Sequence, residues 1–190
     1  MMSKREFALL TLLSAATIAV AQMPAPQAAS GAKPAASAAA KASLSAGDTD
    51  FFMKAAQGGH AEVESSKLAA TQASSAQVKT FAQQMITDHT KAGEELMALA
   101  TSKGVTVPKE PSPAQKSMIK SLEGKNGADF DRAYAKSMGV DAHRETVALF
   151  KKTSASAKDT DVKAFATKTL PTLEHHMKMA EDLNKAVAKR

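Results

Sequence analysis

Five histidines, 19 acidic side chains and no cysteine define the chemistry open to this 190-residue chain. Without thiols, disulfides, thiolate nucleophiles and thiolate metal sites are excluded, and imidazole and carboxylate chemistry remain. His89, His143 and His176 each fall on the apolar stripe of a segment with helical periodicity, where a helical bundle ordinarily places leucine. Glu62 lies at the flank of a fourth such stripe, on the side of Ala55 and Ala69. Each of the four sits near the middle of its segment, so four helices packed side by side would bring them to one level.

Three imidazoles and a carboxylate at one level are a plausible donor set for a single divalent ion, with zinc, copper and iron all suited to imidazole nitrogen. The same four groups could instead satisfy one another as a metal-free polar network, because each buried ring nitrogen needs a partner. Both readings stay open on the sequence. Asp88 and Glu64 neighbour the candidates and are expected at the helix flanks, supporting a ligand or forming a salt bridge. His60 and His175 fall off the stripes and are expected at the surface. Met85 and Met177 carry thioether sulfur, but methionine on a helix stripe is ordinarily core. No phosphate-binding glycine loop and no Gly-x-Ser-x-Gly turn occurs, so nothing in the sequence points to an enzyme.

The elements that must position these residues can be read in turn. A helix is expected over 48–73, capped by Asp48, Thr49 or Asp50, with Phe52, Ala56, Gly59, Val63, Ser66 and Ala70 on one stripe. Gly58 and Gly59 weaken it, so they are expected to permit close approach of a neighbouring helix. A second helix follows Ser74 or Ser75, carries Val78, Phe81, Ala82, Met85 and Leu96 around His89, and stops at Gly104. Pro108, Pro111 and Pro113 mark an extended connector, and Ser112-Pro113 starts a short helix with Met118, Ile119 and Leu122 inward. A third long helix is expected over 128–154, with Ala133, Val140, Val147 and Phe150 sharing the face of His143. The fourth follows Asp159 or Thr160 to about Ala188, with Pro171 expected to kink it near His176. Four long helices, each with one apolar face, satisfy those faces together as an all-α four-helix bundle.

The first quarter of the chain has a different character. Lys4 and Arg5, the apolar run from Phe7 to Val20 and the small residues Ala19-Val20-Ala21 read as a secretory signal peptide over 1–21, cleaved before Gln22. An uncleaved anchor is the alternative reading. Residues 22–47 are Ala, Pro, Ser and Lys with little to bury apart from Leu44, the composition of a disordered linker. The folded domain is then expected over 48–190, outside the cytoplasm, with no membrane span in the mature form. The formal charge of +6 is spread along the predicted helices without basic runs or aromatic interleaving, which gives no sign of nucleic-acid binding.

Several short motifs together carry a family resemblance: Phe51-Phe52, Ala61-Glu62-Val63, Phe81 to Met85, Asp88-His89, Phe130-Asp131, His143, Val147 to Phe150, and Leu170 to Leu173 leading to His176. Over about 48–183 the chain resembles a family of secreted bacterial proteins labelled outer-membrane proteins, a domain of unknown function. The resemblance implies a ferritin-like four-helix bundle, to which the Ser112-Pro113 start adds a short extra helix in the connector between the second and third long helices, and a signal peptide with a periplasmic or loosely envelope-associated location. A di-iron centre is not supported. Glu-x-x-His pairs would be needed, and the residues three before His89, His143 and His176 are Ile86, Val140 and Leu173. The expected role is therefore metal binding or buffering at Glu62, His89, His143 and His176, with a metal-free structural or stress-related protein as the alternative.

Overall fold

The computed structural model describes residues 44–189, so the expected signal peptide and most of the expected linker lie outside the described residues. The helices are α1 (Ala46–Gln72), α2 (Ala76–Ser102), α3 (Pro113–Glu123), α4 (Gly127–Tyr134), α5 (Ala142–Ser156) and α6 (Thr160–Val187). A π-helical segment, Ala135–Asp141, joins α4 to α5 without a break. The chain is an all-α bundle. α1 packs along α2 and α5 along α6, and the two pairs meet through α2 with α6 and α1 with α5.

Two buried carboxylates tie the helix ends and reveal the direction of each helix. Asp131 of α4 accepts hydrogen bonds from the backbone N–H of Ser74 and Ser75 and from the Ser74 hydroxyl, at 3.0, 2.8 and 2.5 Å. It therefore caps the start of α2 from 56 residues away in sequence, where Ser75 makes no side-chain cap of its own. Asp48 accepts from the backbone N–H of Lys158 and Asp159, at 3.2 and 3.1 Å, so the start of α1 lies beside the start of α6. α2 runs with α4 and α5, α1 runs with α6, and the connector holding α3 must travel the length of the bundle. That is the topology of a bundle with one long crossover.

Local chemistry accounts for the helix limits. Ser45 caps α1 by accepting from the Asp48 N–H at 3.1 Å, which starts the helix ahead of the expected Asp48 and frees that aspartate for the α5–α6 turn. Gly104, at φ +73, ends α2 in the left-handed conformation. Ser112 and Gln115 form a capping box with Pro113 in the first turn of α3. α6 continues through Pro171 as one element.

The third long helix departs from expectation. Phe130, Asp131, Tyr134 and Met138 are buried before His143, whereas Ala133, expected on the buried stripe, is only half-buried. In a regular α-helix Tyr134 and His143 would point about 180° apart, at 100° per residue. The π segment inserts the equivalent of one extra residue and turns both into the core. Its register is visible in the Ala142 N–H, which donates to the carbonyl of Ser137, five residues back. The last turn of the segment passes close to α6: a β-carbon on Gly139 would lie 3.3 Å from that of Ala180.

The core has two apolar clusters. One gathers Phe81, Met85, Leu122, Phe130, Tyr134, Met138 and Leu183. The other gathers Phe51, Phe52, Leu96, Phe150, Phe165 and Leu173, with Phe51 and Phe150 edge-to-face at 5.0 Å. Glu62, His89, His143 and His176 belong to neither. Among the described residues no helix is long and apolar enough to cross a membrane.

Replacing Asp131 by alanine leaves the Ser74 and Ser75 donors without their acceptor. Thermal and urea unfolding should show a loss of about 2–3 kcal/mol. Gly139→Ala should also lower stability, because the added methyl meets backbone-anchored Ala180, whereas Gly93→Ala should raise the melting temperature by about 2–4 °C, since a methyl there meets nothing within 4 Å.

Candidate metal centre

α2, α5 and α6 each deliver one histidine to the middle of the bundle. The ring centroids of His89, His143 and His176 form a nearly equilateral triangle, with separations of 5.5, 5.4 and 5.6 Å. One ring nitrogen from each lies within 4.8 Å of those of the other two. All three rings are buried, at 6, 0 and 1% exposure.

Hydrogen bonds set which nitrogen of His143 and of His176 is available. His143 Nδ1 donates to the Gly139 carbonyl at 2.8 Å and lies 3.2 Å from that of Met138, both in the π segment. A nitrogen facing carbonyls must carry its proton, which leaves Nε2 as the lone-pair nitrogen. His176 Nε2 donates to Asp88 Oδ2 at 2.8 Å, which leaves Nδ1 as the lone pair. Gln84 braces Asp88 from the previous turn, donating to the same oxygen at 2.6 Å. Among the described residues, His89 Nε2, His143 Nε2 and His176 Nδ1 are buried without a hydrogen-bond partner. Buried polar atoms are ordinarily paired, so these three lone-pair nitrogens are the donors the cluster could offer to an ion.

Glu62 is 2% exposed and central to its helix face, not at the flank. The buried side of α1 is rotated toward Ala61, Ser65 and Ala69 relative to the expected stripe. Glu62 Oε1 lies 3.5 Å from His143 Nδ1 and is itself without a hydrogen-bond partner. The carboxylate therefore stands behind His143 and outside the three-nitrogen group. Asp88 is where the flank reading put it, and its bond to His176 gives it a supporting position. Glu64 and His175 are exposed, and His60 is half-buried. Met85 belongs to an apolar cluster and Met177 packs against the same one.

Burial dominates the electrostatics. It holds His89 down to about 3 and His143 to about 4, in each case with further repulsion from neighbouring imidazoles. His176 is also lowered by burial, against the opposing pull of Asp88. Burial pushes the Glu62 carboxyl well above the usual carboxylate range. For Asp88, partial burial pushes upward, but hydrogen bonds from Gln84 and His176 outweigh it and hold the carboxyl low. At neutral pH the cluster is three neutral imidazoles, the form that binds metal.

Residues 33–183 match the family model described as Domain of unknown function (DUF4142). The chain belongs to the DUF4142 family. Two solved structures are similar in fold to this DUF4142 chain. A DUF305 fragment from Deinococcus radiodurans aligns at TM-score 0.66 and 11% identity, covering 75% of this chain and 98% of the other. A conserved hypothetical protein from Mycobacterium tuberculosis aligns at TM-score 0.58 and 15% identity, covering 74% and 92%. No curated protein matches the chain. The family match gives the family and the solved structures the helical fold, and neither assigns a chemistry.

The depressed histidines make metal-free protein acid-sensitive. The unfolded chain protonates these rings near pH 6.5, whereas the folded chain keeps His89 and His143 neutral to about pH 3 and 4. Below 6.5 the unfolded state therefore binds more protons, and their contribution to stability falls as pH drops toward 4. Glu62 works the other way, because the folded state retains a proton that the unfolded chain releases above about 4.5. The net expectation is a fall of about 1–3 kcal/mol per pH unit between 6.5 and 5. Urea unfolding of chelator-treated protein at pH 7, 6 and 5 measures it, and a flat profile contradicts it.

Proposed function

We propose that this DUF4142 protein binds one divalent transition-metal ion between α2, α5 and α6, and acts as a metal-binding or metal-buffering protein of the bacterial envelope. The observation that carries this reading is that His89, His143 and His176, one per helix, each bring a ring nitrogen within 4.8 Å of those of the other two, and that each ring keeps one buried nitrogen without a hydrogen-bond partner. A tetrahedral ion with bonds of about 2.0–2.1 Å holds its nitrogens about 3.3 Å apart, so each ring need move less than about 1 Å to close on it. Zinc, copper and iron suit such a nitrogen set. The envelope location rests on the signal-like residues 1–21 and on the family resemblance.

Glu62, expected as a fourth ligand, here takes a supporting part beside His143, as Asp88 does beside His176. Carboxylates and carbonyls on the far nitrogens of ligating histidines fix the ring orientation and raise ligand basicity. They also supply the negative charge that a dication buried among neutral donors requires. Glu62, neutral without the ion, would ionise on binding and release a proton.

A metal-free polar network remains the second reading, favoured by the His176 to Asp88 hydrogen bond and the closeness of Glu62 to His143. Calorimetric titration of tag-free, chelator-treated protein with Zn²⁺, Cu²⁺ and Fe²⁺ separates the two. Binding of one ion per chain is expected, with His89→Ala and His143→Ala abolishing it, and Asp88→Asn or Glu62→Gln weakening it about 10–100-fold. If none of these ions binds or raises the melting temperature of the wild type, the metal reading is wrong.

A further inference from the structure

Beside the histidine triangle, on the side of the Phe51 cluster, lies a cavity of about 280 Å³. Its inner walls are Ala56, Leu96, Phe150, Phe165 and Leu173, all members of that cluster. The exposed lining residues Lys67, Thr90, Glu94 and Met97 mark its mouth between α1 and α2. Met97, 44% exposed, is the one large hydrophobic side chain among the described residues that stands out in solvent.

Three glycines inside helices, Gly58 and Gly59 of α1 and Gly93 of α2, line this same cavity. Glycine in a helix interior costs about 0.5–1 kcal/mol relative to alanine, and close helix packing is the usual compensation. That compensation is missing here, contrary to the expectation of helix approach. A β-carbon on Gly59 or Gly93 would meet nothing within 4 Å, and one on Gly58 only the Thr146 hydroxyl at 3.9 Å. What the three absent side chains leave is volume. Filling any of these positions would narrow the cavity and strengthen the helix, so the sequence forgoes stability at three places around one space.

The second observation is His89. It is the member of the triangle that also lines the cavity, and it is 6% exposed. The cavity thus has apolar walls, one buried polar group on its inner side, and ionic groups of opposite sign only at the mouth.

We propose that this cavity is a binding pocket for a small neutral molecule with one aromatic ring and one hydrogen-bonding substituent, the ring among Leu96, Phe150 and Phe165 and the substituent at His89. The volume lies at the low end for ligand pockets, which suits a single ring and excludes larger cofactors. The proposal does not depend on metal at the histidine triangle.

Phenol, titrated into chelator-treated protein and followed by two-dimensional amide NMR, tests it. Saturable shifts at Gly58, Gly59, Gly93 and His89 are expected, with a Kd of about 1 mM or tighter. Benzoate, of the same ring but charged, should bind at least about tenfold more weakly, because burying its charge is unfavourable. Gly59→Leu and Gly93→Leu place a side chain in the space, and each should weaken phenol binding by at least about tenfold. Their melting temperatures, expected to equal or exceed that of the wild type, confirm that the fold is kept. Absence of saturable shifts in the wild type, unchanged binding in both filled variants, or equal binding of benzoate overturns the proposal. Since no ion is present in any arm, the result stands apart from the metal titrations.

Discussion

Three imidazoles held in the middle of an apolar bundle impose the constraint around which this structure is arranged. Each ring has two nitrogens that water would have satisfied, and burial leaves the protein to provide for them. It does so on one side of two rings only. The π segment turns carbonyls toward His143, and Asp88 receives the proton of His176. One nitrogen of each ring converges with those of the other two. Leaving polar atoms unpaired in a core is costly unless something joins them, and the chain organises this cost at one level between two apolar clusters.

The scaffold that holds the level in place is bound at its ends. Asp131 ties α4 to the start of α2, Asp48 ties α1 to the start of α6, and Lys103 at the end of α2 pairs with Asp159 and Asp161 at 2.7 and 2.6 Å. These contacts join residues more than fifty apart in sequence. They fix the register of each helix against the others, and register decides whether mid-helix side chains meet. Aromatic packing around Phe51 and the second cluster around Tyr134 then lock the rotations.

Stability is not maximised everywhere. The π turn, the partnerless nitrogens and the glycines of α1 and α2 are each departures from what a plain bundle would choose, and they lie around one region. Such departures tend to gather where a protein handles a ligand. The family and the fold neighbours establish a helical architecture without assigning a chemistry, so these local departures carry the functional argument.

Much of the architecture was legible in the sequence. Apolar spacing of three and four located the long helices, Ser112-Pro113 and Gly104 marked a start and a stop, and His89, His143 and His176 stood out because a polar residue interrupted an apolar stripe. Periodicity assumes one constant turn, and it therefore misplaced the face of α4, where the π segment adds a residue and brings Tyr134 inward in place of Ala133. Propensity rules put the cap of α1 among Asp48, Thr49 and Asp50, but the Asp48 carboxylate is taken by the α5–α6 turn, and Ser45 caps instead. Local spacing also could not show that Asp131 caps a distant helix, that Glu62 stands behind His143, that Asp88 reaches His176, or that Gly59 and Gly93 face open space. Sequence alone determined which residues are polar within apolar faces, because that is a property of one helix at a time. Only the tertiary structure decided which nitrogens remain free, because a partner's position depends on how separate helices rotate and slide against each other.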